Sequence, residues 1–220
     1  QQANGAGCAL VDSYANGVAV MEWLAGETAG DLTRSGDDAA GLDAMIGAAN
    51  ALHNAVPAPL DGLRPISRDI DALNAATYAA GCPSDVQDMF ERCKGMGRAL
   101  QATQSMLQPL HGDLHHDNVI LTPRGPLLLD AKGILGERAY ETANMFQNPV
   151  GAATLVRDPS RAIWMADVLG AAFDCAPQRL LRWAAVRTAL SSVWRYGPEI
   201  PDTPQDMDLL ALFLGLAEPA

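Results

Sequence analysis

Apolar residues recur at helical spacing over most of the chain. Leu42, Met45, Ile46 and Ala49 share one face of a predicted helix, with Asp37 or Asp38 placed to cap it. Ile70 and Leu73 mark a second helix, for which Ser67 is the expected cap. Ser84 is expected to cap a third, carrying Val86, Met89, Phe90, Cys93 and Leu100. Asp158-Pro159 opens a helix with Ile163, Ala166 and Leu169, because proline at the first helical position has no donor to lose. Gln178 to Tyr196 forms another, stopped by Gly197-Pro198, and Asp206 to Leu216 forms the last. The stretch GETAGDLTRSG, 26–36, is polar and glycine-rich and reads as a connector.

Two short hairpins interrupt this helical pattern. The first joins Ala9 to Tyr14 and Val18 to Leu24 through Asn16-Gly17, a pair that tolerates positive φ in a tight turn. A lone two-stranded hairpin is marginal in water, so it needs a partner sheet or a helical surface to lie on. The second runs from Val119 to Leu121, turns at Pro-Arg-Gly, and returns through Pro126 to Leu129. The fold class is therefore α+β, a helical body with two small hairpins.

Composition narrows the function. The chain has 220 residues, 49% of them hydrophobic and 19% charged, which suits a globular protein with a sizeable core. Its net charge of −11 repels nucleic-acid phosphates and suits a cationic small-molecule substrate. The four cysteines are scattered without zinc-ligand spacing, and they read as free thiols of a reducing cytoplasm. The longest apolar run, Leu209 to Ala217, is too short to span a bilayer. The opening QQANGAG lacks the pattern of a signal peptide and an initiator methionine.

The chemistry gathers in HGDLHHDNVILTPRGPLLLD, from His111 to Asp130, which holds three of the four histidines. Asp113 and Asn118 lie on one irregular loop, and the hairpin that follows brings Asp130 back beside them. One carboxylate and one amide oxygen can then share a hard cation, while a second carboxylate stands ready as a base. This is the equipment of magnesium-dependent phosphoryl transfer. The spacing H-x-D-x-x-x-x-N, followed by an apolar hairpin ending in Asp, matches the kinase catalytic loop and metal-binding Asp. Protein kinases carry Arg before the catalytic Asp; Gly112 stands there in this chain, which points to a small-molecule kinase. His111 reads as a framework residue, His115 and His116 as solvent-facing or structural with metal ligation as the alternative, and His53 as a surface residue.

HGDLHHDN followed by LLLDAKGILGERAYETANMFQNP resembles the aminoglycoside phosphotransferases, and among them the streptomycin 6-kinase and hydroxyurea kinase group. The resemblance is specific over His111 to Pro149 and looser in the flanking helices. It implies a protein-kinase-like fold: mostly the helical C-terminal lobe (26–220), with a residual nucleotide-lobe hairpin and hinge (1–25). It implies ATP and Mg2+ as cofactors, Asp113 as catalytic base, and Asn118 and Asp130 as metal ligands. In the hinge, VAVMEWLAG, backbone groups of Glu22 and Leu24 are expected to bind adenine. Glu137 and Glu141 are candidates for contacts to a cationic aminoglycoside, or else they brace the short helix around Tyr140 to Phe146. Lys132 is expected either to approach a phosphate or to balance the acidic cluster.

One departure stands against the family pattern. The glycine-rich phosphate loop and the strand lysine belong upstream of the hinge, yet both lysines here, Lys94 and Lys132, lie downstream of it. The orphan first hairpin agrees, so the chain is read as a fragment, as lacking its preceding part, or as a naturally shortened product, with an open sheet edge available for self-association. The leading expectation is an ATP-dependent O-phosphotransferase that inactivates a streptomycin-like drug. The alternatives are a kinase of another small metabolite and a catalytically silent binding module.

Overall fold

A computed structural model describes residues 5–55 and 62–218; residues 1–4 of the opening segment fall outside them. Strands β1 (Val11–Ala15) and β2 (Val18–Met21) form the first expected hairpin, with Asn16 and Gly17 at φ 52° and 80°. The ladder stops at Met21, short of the expected Leu24. The 26–36 connector contains helix α1 (Ala29–Arg34), closed at its start by a reciprocal capping box between Thr28 and Asp31. Helix α2 (Asp38–Ala55) follows, and the Asp37 carboxylate takes the Ala40 N–H at 3.0 Å as expected of a cap.

Strand β3 (Arg64–Pro65), helix α3 (Ser67–Asn74), strand β4 (Thr77–Tyr78) and helix α4 (Ser84–Ala102) come next. Ser67 and Ser84 are not caps. Both lie inside their helices, whose cap positions are held by Ile66 and Pro83 without a side-chain bond. Strand β5 (Gln108–Leu110) leads into the histidine-rich loop, which holds one 3-10 turn at His116–Asn118. Strands β6 (Val119–Thr122) and β7 (Gly125–Leu128) make the second expected hairpin, and β8 (Ile134–Gly136) follows. Helices α5 (Arg138–Glu141), α6 (Ala153–Val156), α7 (Pro159–Phe173) and α8 (Pro177–Tyr196), strand β9 (Glu199–Ile200) and helix α9 (Met207–Ala217) complete the chain.

Helix α8 is the centre of the body. Its residues Leu180, Trp183, Ala184, Val186, Ala189 and Leu190 are all buried, so apolar side chains point outward around most of its circumference. A helix of that kind has to be enclosed by others, and α4, α7 and α9 pack on it. Helix α7 begins with Asp158 capping the Ser160 N–H as expected. Its buried face is Ala162, Met165, Ala166 and Leu169, whereas Ile163, expected inside, is exposed.

The β-structure positions the loop. Strand β8 lies between β3, to which it is parallel, and β5, to which it is antiparallel. The two hairpins are tied together by the chain flanking the first. Leu128 N–H donates to Gly7 O at 2.8 Å, Ala9 N–H to Leu128 O at 3.0 Å, and Leu121 N–H to Glu27 O at 2.8 Å. Gly26 makes that close approach possible, since a Cβ there would stand 2.0 Å from Leu121 O. The first hairpin itself is open: Tyr14, Val18, Val20 and Met21 are exposed.

Candidate active site

The loop between β5 and β6 is built by a few strong constraints. Gly112 has φ 80°, and a Cβ on it would lie 2.6 Å from Ile134 on β8. Only glycine fits both restrictions, so the absence of arginine at this position has a steric cause. His111 Nε2 lies 2.6 Å from Leu129 O, and His111 Nδ1 takes the Asp113 N–H at 3.2 Å. That pairing fixes the tautomer with the proton on Nε2 and makes His111 the framework residue expected of it.

Glu141 holds the same loop from below. Its two carboxylate oxygens accept the backbone N–H groups of His111 (2.7 Å) and Gly112 (2.9 Å). His53 Nε2 approaches Glu141 Oε1 at 3.4 Å, and neither side chain is exposed. Burial alone would raise the Glu141 carboxyl, but its hydrogen bond and attraction to His53, the attraction of His111 and the Gly112 N–H together hold it below the ordinary value. His53 is therefore an interior partner, not the surface residue expected. Glu137 is also interior: it accepts from Trp183 Nε1 at 2.5 Å and from Arg179 Nε at 2.8 Å. As placed, Glu137 and Glu141 are filled with internal donors and brace the fold. The acidic pair expected to meet a cationic substrate does not reach an open surface.

Asp113, Asn118 and Asp130 gather at one end of the second hairpin. Asn118 Nδ2 donates to Asp113 O at 3.0 Å, and Leu129 N–H donates to Asn118 O at 2.9 Å, which sets Asp130 next to Asn118. Asp130 takes φ 58°, turning the chain out of β7. Lys132 reaches across: its Nζ is 2.7 Å from Asp130 Oδ2 and 4.0 Å from Asp113 Oδ2. The other lysine, Lys94, is buried, donates to Ala76 O and Glu91, and stands 4.9 Å from the Tyr78 ring centroid. Among the described residues, Lys132 is therefore the lysine at the site.

Asp113 Oδ1 has two donors that the motif did not indicate, Arg187 Nη2 at 2.7 Å and Asn144 Nδ2 at 2.9 Å. Asn144 also lines a cavity of about 380 Å³ beside the loop, together with Gln147, Ser191, Arg195 and Asp206. Just after β2, Glu22 N–H bonds to Leu10 O at 2.9 Å, while its side chain accepts from Leu10 N–H and from Arg124 of the second turn. Those bonds, the Arg124 pair foremost, hold the half-buried Glu22 carboxyl below its usual value.

His116 is buried and structural. Its Nε2 faces Arg161 Nη2 at 3.4 Å, and Arg161 is paired with Asp38 and donates to Asn148 O. Burial, reinforced by the Arg161 cation, pushes the His116 imidazole down from 6.5 to about 3. The native protein thus refuses a proton that the unfolded chain accepts below pH 6.5. Stability is full above that pH and falls as pH drops towards 3, by at most about 1.4 kcal/mol per pH unit. Urea midpoints should show the wild type losing roughly 2 kcal/mol between pH 6.5 and 5. His116→Gln should lose clearly less, keeping the share from His115, which burial also depresses.

Three comparisons bear on the family and the fold. Residues 1–197 match the family of aminoglycoside/hydroxyurea antibiotic resistance kinases. The streptomycin 3''-kinase of Klebsiella pneumoniae is 34% identical over 203 residues, covering 88% of this chain and 72% of that protein. A thermostable mutant of the aminoglycoside phosphotransferase APH(4)-Ia, solved as a ternary complex with ADP and hygromycin B, superposes with a TM-score of 0.54. That match covers 96% of this chain and 75% of the other at 13% identity, and it speaks for the fold. No helix among the described residues is long and apolar enough to cross a membrane. The chain belongs to the aminoglycoside/hydroxyurea antibiotic resistance kinases, phosphotransferases of protein-kinase-like fold.

Proposed function

We propose that this protein transfers the γ-phosphoryl group of ATP to a hydroxyl of an aminoglycoside, with streptomycin as the first candidate. The observation that carries the reading is the convergence of Asp113, Asn118 and Asp130 at one end of the second hairpin, beside the cavity at Asn144. The 34% identical streptomycin kinase supports the acceptor class, and the ADP named for the structural neighbour supports the nucleotide.

On this reading Asp113 accepts the proton of the acceptor hydroxyl through Oδ2, the oxygen not held by Arg187 and Asn144. The hydroxyl oxygen bonds to the γ-phosphorus as the bond to the bridging oxygen breaks, and ADP leaves with that electron pair. Asn118 and Asp130 present hard oxygen donors suited to magnesium, an ion that keeps few protein ligands when phosphates share it. The approach of Lys132 to Asp130 at 2.7 Å and to Asp113 at 4.0 Å supports a cation at the same spot. Bound there, magnesium would neutralise the charge of the phosphates. Because Glu22 N–H is engaged by Leu10, the Glu22 carbonyl and the Leu24 N–H are the hinge groups left for the adenine edge. The hinge then divides a nucleotide side, 1–25, from the helical lobe, 26–220, and the need for ATP places the activity in the cytoplasm.

ADP release measured over a panel of streptomycin, hygromycin B, hydroxyurea and simple amino alcohols tests the acceptor class. Streptomycin should turn over fastest; turnover confined to a compound outside the aminoglycosides would overturn the reading. In the same assay Asn118→Ala and Asp130→Asn should each raise the magnesium needed for half-maximal rate by about tenfold or more.

A further inference from the structure

Arg187 lies 74 residues downstream of Asp113, on the central helix α8, yet its side chain ends at the proposed base. Nη2 donates to Asp113 Oδ1 at 2.7 Å, while Nη1 is 3.3 Å from the Tyr140 hydroxyl and 3.5 Å from Gly112 O. Two turns further along α8, the Trp194 ring covers the guanidinium, with its centroid 4.4 Å from the Arg187 Cζ atom. The side chain is 8% exposed. A guanidinium keeps its proton throughout, so Arg187 cannot exchange one with the substrate.

The second donor to Asp113 Oδ1 is aimed just as firmly. Asn144 Oδ1 accepts from Gln147 Nε2 at 2.8 Å and from Asn148 Nδ2 at 3.3 Å, which forces Asn144 Nδ2 towards Asp113. Gln147 Nε2 also reaches Ser191 Oγ, and Ser191 bonds back to the Arg187 carbonyl. Both donors thus come from rigid, internally bonded supports and converge on one oxygen. Among the described residues, the other oxygen, Oδ2, is approached by Lys132 alone, at 4.0 Å.

We infer that Arg187, clamped beneath Trp194 and seconded by Asn144, is a positioning residue that locks the rotation of the Asp113 carboxylate so that Oδ2 is presented to the acceptor hydroxyl. The inference rests on Asp113 being the base. An ordinary ion pair tying α8 to the loop would need neither the aromatic cover nor a second oriented donor on the same oxygen.

The test is steady-state transfer from Mg–ATP to streptomycin by the full-length protein. Arg187→Met keeps the bulk under Trp194 and removes the charge; kcat should fall about 100-fold, with KM for both substrates within about threefold. Arg187→Lys should recover roughly tenfold of that loss. Trp194→Leu changes a half-exposed residue, which leaves the fold intact, and should lower kcat about three- to tenfold. In an Asp113→Asn background Arg187→Met should cost nothing further, because the two act as one unit. An equal further loss in that background, or a kcat within threefold of wild type for Arg187→Met or Trp194→Leu, would overturn the inference while leaving the kinase reading intact. Absence of transfer by the wild type would defeat both.

Discussion

Asp113→Asn lowers kcat for phosphoryl transfer by about 10²–10⁴-fold while KM for nucleotide and acceptor stays within a few-fold. The substitution is isosteric, and the amide oxygen can still accept from Arg187 and Asn144, so the loop keeps its shape. What disappears is the capacity of the free oxygen to take a proton. Steady-state kinetics beside a melting curve separates the two effects: the melting temperature should move little while turnover collapses. An unchanged kcat would remove Asp113 from the chemistry.

Glu141→Ala should destabilise the protein by about 3–5 kcal/mol, a large part of a typical domain's 5–15 kcal/mol. The carboxylate satisfies two buried N–H groups of the loop and the buried His53, and alanine leaves all three without it. Each orphaned donor costs about 1–3 kcal/mol. Urea denaturation measures the loss, and a change below 1 kcal/mol would contradict the bracing role. The pH dependence has a definite sign. Because the folded carboxyl lies below its ordinary value of 4.5, its contribution is present above that pH and disappears as pH falls below it. Glu141→Ala should therefore weaken the dependence of stability on pH below 4.5.

The parts of the site that could be read from the sequence are the local ones. Asp113 and Asn118 share one loop, and a turn of known chemistry folds Asp130 back towards them, so short-range geometry sufficed to put the three together. Glu141 contacts the loop across 29 and 30 residues of chain and Arg187 across 74 and 75, while His53 reaches Glu141 across 88. Periodicity can mark such residues as inward-facing but cannot say what they face. His53 reads as a surface residue because a single histidine late in a helix carries no signal of its buried partner. For Glu137 and Glu141 the sequence leaves open a substrate contact or a brace, and the structure shows their charge answering internal donors.

The helices were legible in their apolar faces and less so at their ends. Ser67 and Ser84 sit one residue too far along to cap, since Ile66 and Pro83 hold the cap positions. Helix α1 hid in a glycine-rich stretch, although Thr28 with Asp31 three residues on was a visible capping signal. Strands β3, β4, β8 and β9 are two or three residues long, too short for alternation to register. Gly112 was legible as a departure from protein kinases, but its steric cause is the side chain of Ile134 on β8.

The most direct measurement is the transfer of labelled γ-phosphate from Mg–ATP to streptomycin, with the phosphorylated drug isolated and Asp113→Asn run in parallel. The account predicts labelled drug from the wild type, dependent on magnesium, and almost none from the variant. Labelled drug produced equally well by Asp113→Asn, or no labelled drug from the wild type at saturating nucleotide, would contradict it.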